Sequence, residues 1–295
     1  MPDPRPDTPS RAPGAPSAGA RPRSQTRVRV LGIVNVTPDS FWDGGRHASV
    51  EDAIAHGLLL AEQGADWLDV GGESTRPGSA PVSEEEERAR VLPVIEGLAK
   101  RCEVPLSIDT RRASVAEAAL ARGAGIVNAV AGLRDPALAS VCAAHGATLI
   151  LNHMRGEPAT MQRAPVYGDV VREVLDELLA EAACAERAGV ARGRIWLDPG
   201  LGFGKHSLDH NLPLLARLEE LVATGYPVLV GASRKSFLGR LTGAPVEARL
   251  PGSLAAATAA VLAGARGVRA HDVAETRQAV DVAAAIRAAR AVGPA

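Results

Sequence analysis

Asp109 in PLSIDT (105–110), Asn128 in GIVNAV (125–130) and Asp198 in RIWLDP (194–199) each place a polar group in an otherwise apolar run. Two carboxylates and an amide suit a flat heterocycle rich in N–H donors. Asn35, Arg269 and His271 suit phosphate oxygens instead, and Asn35 is able to ligate a hard cation such as Mg2+. Lys235 can serve a ring carbonyl or an anion. The run DPGLGFGK (198–205) puts glycines where backbone must approach a ligand closely, with Phe203 offering a packing face. It lacks the GxxxxGK(S/T) spacing, which rules out a nucleotide P-loop. Ser233 and Ser236 invite a hydrolase reading, but no base is arranged by sequence to activate them.

Positioning these groups falls to short β-branched runs that alternate with alanine-rich amphipathic stretches. The other runs are VRVLGIV (28–34), WLDV (67–70), ATLILNH (147–153), YPVLVGAS (226–233) and GVRAHD (267–272). Residues 49–64 read as a helix capped by Ser49, with Glu51 and Asp52 in its first turn and Gly64 at its end. Residues 83–101 read as another, opened by Ser83 and an acidic turn, and Pro93 should kink or interrupt it. Strand followed by helix, eight times over, demands a parallel sheet. A body spanning 27–291 fits a single-domain (β/α)8 TIM barrel, whose usual size is about 250 residues. An open doubly wound sheet is disfavoured, because no dinucleotide fingerprint follows the first strand.

The barrel makes the polar strand ends meaningful, since active groups in such folds come from the C-terminal ends of several strands. All eight runs deliver one: Asn35, Glu73-Ser74-Thr75-Arg76, Asp109-Thr110, Asn128, Asn152-His153, Asp198, Ser233-Arg234-Lys235 and Arg269-Ala270-His271-Asp272. Helix caps explain one or two such groups. They do not explain all of them on one rim.

Composition narrows the partners. A formal net charge of −1 argues against nucleic-acid binding through general phosphate attraction. The three cysteines, Cys102, Cys142 and Cys184, show no CxxC spacing and read as reduced thiols of a cytoplasmic protein. Residues 1–26, dominated by Pro, Arg, Ala, Ser and Gly, should be a disordered, dispensable tail without the apolar core of a secretory signal. No stretch has the length and purity of a membrane span.

In chain order, GIVNVTPDSFWDGG (32–45), GADWLDVGGESTRPG (64–78), PLSIDT, LDPGLGFGK, GASRKSFLG (231–239) and VRAHDVAET (268–276) together resemble the dihydropteroate synthase family over residues 30 to about 285. The resemblance implies a barrel that condenses 6-hydroxymethyl-7,8-dihydropterin diphosphate with p-aminobenzoate, giving 7,8-dihydropteroate and diphosphate in folate biosynthesis. On matching positions the pterin would be held by Asp109, Asn128, Asp198 and Lys235. Asn35, Thr75, Arg76, Arg269 and His271 would meet the diphosphate, with Mg2+ at Asn35. The aminobenzoate, for which sulfonamides compete in the family, would be enclosed by Phe41, Thr75, Pro77, Gly202, Phe203 and Ser236. Catalysis would rest on Asp39, Arg76, Asp109 and Lys235, through electrostatics and positioning rather than a nucleophilic triad. The loops after the first two strands fit mobile lids that exclude water. A homodimer is typical of the family.

The chain departs from the family pattern at Trp42, at Ala129, where Asp usually follows the strand-four Asn, and at Asn152, where Met is usual. Two other readings share the pattern: a non-catalytic pterin-binding paralogue, and a pterin-dependent methyltransferase domain. The latter class lacks the ESTRPG and SRKSF loops.

Overall fold

The computed structural model describes residues 27–36, 50–74, 81–157, 160–163, 165–205 and 208–291. Eight strands alternate with helices: β1 Arg29–Asn35, β2 Trp67–Gly71, β3 Leu106–Thr110, β4 Ala124–Val130, β5 Thr148–Asn152, β6 Ile195–Asp198, β7 Leu229–Val230 and β8 Gly267–Ala270. The helices are α1 Val50–Glu62, α2 Glu84–Ala99, α3 Ala113–Leu120, α4 Leu138–Ala144, α5 Val170–Arg187, α6 Leu208–Ala216, α7 Leu218–Val222, α8 Ser236–Thr242, α9 Leu250–Leu262 and α10 Val273–Ala291. Units six and seven each carry two helices rather than the one expected.

All pairings are parallel, in the order β6-β5-β4-β3-β2-β1-β8-β7. The gap between β6 and β7 is closed by a parallel bridge between Leu197 and Val228 and by Leu197 N–H donating to Pro227 O at 2.9 Å. The (β/α)8 barrel expected from the alternation is therefore the fold.

The period of two sorts each strand. Leu68, Val70, Ile108, Val127, Ala129, Leu149, Leu151, Leu197 and Val268 face the helices in the main core. Leu31, Ile126, Ile150 and Leu229 form an inner cluster, against which Trp67 and Trp196 pack in edge contact, ring centroids 4.9 Å apart. These large side chains fill the barrel's N-terminal end.

Two expectations are corrected. Pro93 does not interrupt α2, which runs through it. A proline inside a helix costs about 3 kcal/mol, but burying Val91, Val94, Ile95 and Leu98 contributes roughly 1.5–3 kcal/mol each, so packing wins. The Ser83 cap does hold, its hydroxyl accepting Glu86 N–H at 3.2 Å. The run 226–233 yields only a two-residue strand, Leu229–Val230, because Pro227 has no N–H to give the ladder and Gly231 lies past its end.

Among the described residues, no helix is long and apolar enough to cross a membrane. The tail 1–26, and Asp39, Phe41, Trp42, Thr75, Arg76 and Pro77, lie outside the described residues.

Candidate active site

Above the tryptophan plug, the inward positions turn polar. Asp69 follows Trp67 by two on β2, Asp109 follows Ser107 on β3, and Asn128 follows Ile126 on β4, with Asp109 and Asn128 opposite each other in register. Arg269 reaches in from β8 and joins them. Its Nε donates to Asp69 Oδ2 at 2.7 Å and a terminal nitrogen donates to Asp109 Oδ2 at 2.7 Å, while Asn128 Nδ2 donates to Asp69 Oδ2 at 3.0 Å. Asp69 is fully buried, and its Oδ2 alone serves two donors.

The other oxygen of each group is left over. Asp69 Oδ1, Asp109 Oδ1, Asn128 Oδ1 and Asn152 Oδ1 are buried with no hydrogen-bond partner among the described residues. Leaving one such atom unpaired costs about 1–3 kcal/mol, so four in one barrel interior amount to a binding demand for N–H donors. Asp198 shares this region: a Cβ built on Gly231 would lie 3.7 Å from Arg269 Cβ and 3.9 Å from Asp198 Oδ2. One Asp198 oxygen, Oδ1, accepts Gly200 N–H at 2.8 Å.

Burial dominates the electrostatics. It pushes the Asp109 carboxyl up to about 7, against the pull of Arg269 and with help from Asp69. It likewise raises Asp198, opposed by the Gly200 N–H and by Lys235. Lys235 is drawn down to about 8 by burial and by Arg269, and its ammonium sits 3.8 Å over the Phe203 ring centre. Asp109 and Lys235 are thus poised near neutrality, where a bound ligand can shift charge between them.

The anion-binding candidates stand at the outer rim. Asn35 is half-buried at the end of β1. His271 lies just past β8, its Nδ1 3.0 Å from Ser233 Oγ, and burial, reinforced by Arg269 and Arg234, holds it down to about 3. The imidazole is therefore neutral and offers hydrogen bonds rather than positive charge. Arg234, at φ 56°, is clamped by Asp272 through its guanidinium (Nε to Oδ2, 3.0 Å) and by Ser253 through its N–H, which fixes the turn that aims Lys235. Ser236 is exposed at the start of α8, while Gly202 and Phe203 stand beside Lys235.

Among the described residues there is no group of three or more His, Cys, Asp or Glu that could hold a metal. Asn35 offers a single neutral oxygen. Mg2+ commonly keeps several waters and binds through one or two protein oxygens plus substrate phosphates. The donors present therefore fit an ion that arrives with a phosphate-bearing ligand.

The segment that holds Thr75, Arg76 and Pro77 has anchored flanks. Glu73 accepts Val82 N–H at 3.4 Å and pairs with Arg111 at 2.9 Å and Arg112 at 3.2 Å. Arg112 also binds buried Glu87, which accepts the Thr110 hydroxyl at 2.6 Å. Sequence reasoning missed Asp69 and gave Asn152 no role. The signal was there for both. An acid two positions beyond Trp67 and an amide two beyond Ile150 must face the barrel interior. Ala129 faces the helix-side core, fully buried, so this departure touches packing and leaves the ligand face unchanged.

Residues 31–271 match the family model described as pterin binding enzyme. The Escherichia coli dihydropteroate synthase is 48% identical over 261 residues, 88% of this chain and 92% of that protein. The Yersinia pestis dihydropteroate synthase, solved with a sulfonamide drug complex, superposes with a TM-score of 0.85 at 43% identity, covering 89% of this chain and 95% of that one. The Xanthomonas albilineans enzyme was solved with 4-aminobenzoic acid (TM-score 0.83, 50% identity) and with 7,8-dihydropteroate (TM-score 0.80, 48% identity), each covering 89% of this chain and 94% of that one. A family match across the whole barrel, joined to such identity over most of both lengths, makes the chain a member of the dihydropteroate synthase family of pterin binding enzymes.

Proposed function

We propose that the protein condenses 6-hydroxymethyl-7,8-dihydropterin diphosphate with p-aminobenzoate to give 7,8-dihydropteroate and diphosphate. The observation that carries this reading is the set of unpartnered oxygens on Asp69, Asp109, Asn128 and Asn152, an acceptor surface that matches the N–H edge of a pterin. Asp109, Asn128, Asp198 and Lys235 bind that ring. Arg269 stands between two carboxylates and the rim, so it serves the ring acids and the diphosphate together, with Asn35, His271, Thr75 and Arg76 on the anion.

Departure of diphosphate leaves a cation on the exocyclic methylene, conjugated into the ring. Asp109 and Asp198, buried and anionic when the ring is bound, stabilise that charge more than they stabilise the neutral ground state. The arylamine attacks the methylene carbon, and its proton becomes acidic as the C–N bond forms, so no strong base is required. Phe203, Gly202, Ser236, Phe41, Thr75 and Pro77 enclose the aminobenzoate, the pocket for which sulfonamides compete. Asn35 would hold Mg2+ together with the diphosphate, and the ion would supply neutralising charge on the leaving group. The same reading takes the enzyme as a cytoplasmic homodimer without the tail 1–26 taking part. Val282 and Ile286, exposed one turn apart on α10, offer an apolar face for a second copy.

The test is turnover by purified protein with both substrates and Mg2+. Diphosphate release that depends on p-aminobenzoate, with dihydropteroate formed in equal amount, is the expected result. Tight pterin binding without either product would instead identify a non-catalytic paralogue.

A further inference from the structure

Lys205 is only 1% exposed, and nothing in the reaction as derived uses it. Its ammonium is fully engaged. It lies 2.8 Å from His153 Nδ1 and donates to Phe203 O at 2.9 Å and to His153 O at 3.3 Å. On the far side, His153 Nε2 lies 2.9 Å from Glu177 Oε2 at the surface. Burial, together with Lys205 and Arg155, holds His153 down to about 2, so the ring is neutral, accepts from Lys205 at Nδ1 and donates from Nε2 to Glu177. Burial draws Lys205 down to about 7, and a buried amine with three acceptors and one carboxylate behind it is an expensive device. A loop that needed only to be compact would use an apolar side chain there.

The three contacts say what the device holds. Two end on the segment after β5 and one on the peptide of Phe203. The loop is pressed onto that same segment: a Cβ on Gly200 (φ +64°) would stand 1.9 Å from His153 O, and one on Gly204 (φ +63°) 2.2 Å from Arg155 O. Tyr167 OH donates to Gly204 O at 3.0 Å, Gly202 N–H donates to Asn211 at 2.7 Å, and Asn211 Nδ2 donates to Lys205 O at 2.8 Å. The result is a Phe203 ring fixed under the Lys235 ammonium.

We infer that Lys205 is a positioning residue for the arylamine side of the reaction. It locks the Phe203 peptide to the strand-five segment through His153 and so sets the wall against which the aminobenzoate ring lies. The inference rests on the proposed placement of the aminobenzoate at Phe203. It predicts that losing Lys205 damages arylamine binding more than pterin binding, because Asp109 and Asn128 are held by other contacts.

The experiment is a double-mutant cycle of Lys205→Met and Phe203→Ala in the full-length protein, with KM read for each substrate. Lys205→Met should raise the p-aminobenzoate KM about tenfold with the pterin diphosphate KM within about twofold, and should add little once Phe203 is alanine. Lys205→Gln, uncharged but still a donor, should fall between, and it carries the same cycle if the methionine variant does not fold. Equal rises in both KM values, or additivity of the two substitutions, overturns the inference. A Phe203→Ala enzyme with wild-type p-aminobenzoate KM overturns the placement of the arylamine and the inference with it. Wild-type protein without turnover overturns the functional reading instead.

Discussion

Arg269 and Asp109 are 160 residues apart in the chain, yet the guanidinium donates to Asp109 Oδ2 at 2.7 Å and leaves Oδ1 of the same carboxyl unpartnered. One oxygen is fixed by the protein and the other is left open. The ion pair thus orients the carboxylate without consuming its binding capacity.

That arrangement predicts a pH-dependent affinity. Asp109 holds its proton up to about 7 in the empty site, and N–H donors of a bound ring favour the anion. Pterin affinity should therefore rise as pH increases through about 7, with protons released on binding below that point. Asp109→Asn should flatten the profile and weaken binding at pH 8 by about 10–100-fold. Calorimetry in buffers of different ionisation enthalpy reads both.

Asp69 is expected to matter although it is not among the groups first assigned to substrate. Asp69→Ala strips Asn128 Nδ2 of its partner and leaves the Arg269 Nε buried and unpaired. Loss of one partner from a buried pair costs about 3–5 kcal/mol, so urea unfolding should show a large destabilisation. Asp69→Asn should fold better but still lose at least about tenfold in kcat, since both of its donors then meet a weaker acceptor.

Asn152→Met is expected to act in opposite directions on stability and on function. It removes a buried, unpartnered oxygen and should stabilise the unliganded protein by about 1–3 kcal/mol. The same change removes an acceptor from the ring site, so the pterin diphosphate KM should rise. Parallel thermal melts and steady-state kinetics distinguish this from a packing effect, which would move both the same way.

Glu181 on α5 predicts a pH dependence of stability unrelated to the reaction. Burial lifts its carboxyl from 4.5 to about 7; Leu133 N–H and Arg134 oppose the shift, and Glu177 adds to it. Below 4.5 the folded and unfolded chains both hold the proton, and Glu181 contributes nothing. Between about 4.5 and about 7 only the folded chain holds it, so stability falls by about 1.4 kcal/mol per pH unit and stays lowered above that range. Glu181→Gln should be more stable than wild type at pH 8, with the two converging at pH 4.

Closure over the arylamine is the last expectation. Asp39→Ala should lower kcat far more than it weakens pterin diphosphate binding, because the group acts after the pterin has entered, whereas Arg76→Ala should lower kcat and also weaken pterin diphosphate binding through the lost anion contact. Wild-type turnover in both variants would remove them from the reaction.

The barrel was legible because its signal is local. Each β-branched run, each capped amphipathic stretch and the order of polar strand ends can be read within a few residues, and the inner or outer face of Asp109, Asn128, Ala129 and Arg269 follows from a period of two. Pro93 and the run 226–233 misled for the same reason. A local rule assigns a proline its intrinsic cost, whereas α2 is decided by four side chains buried against other elements, and β7 by how little ladder remains after Pro227.

Chemistry types were likewise a property of the chain: acids and amides for a heterocycle, a guanidinium and an imidazole for an anion. Partnerships and charge states were not. Asp69 meets Arg269 across 200 residues only because β1 brings β2 and β8 to its two sides, and Lys205 meets His153 only because the loop after β6 folds onto the segment after β5. Burial then sets Asp109 near 7, Lys235 near 8 and His271 near 3. Desolvation depends on everything that surrounds a group, and no window of sequence contains that.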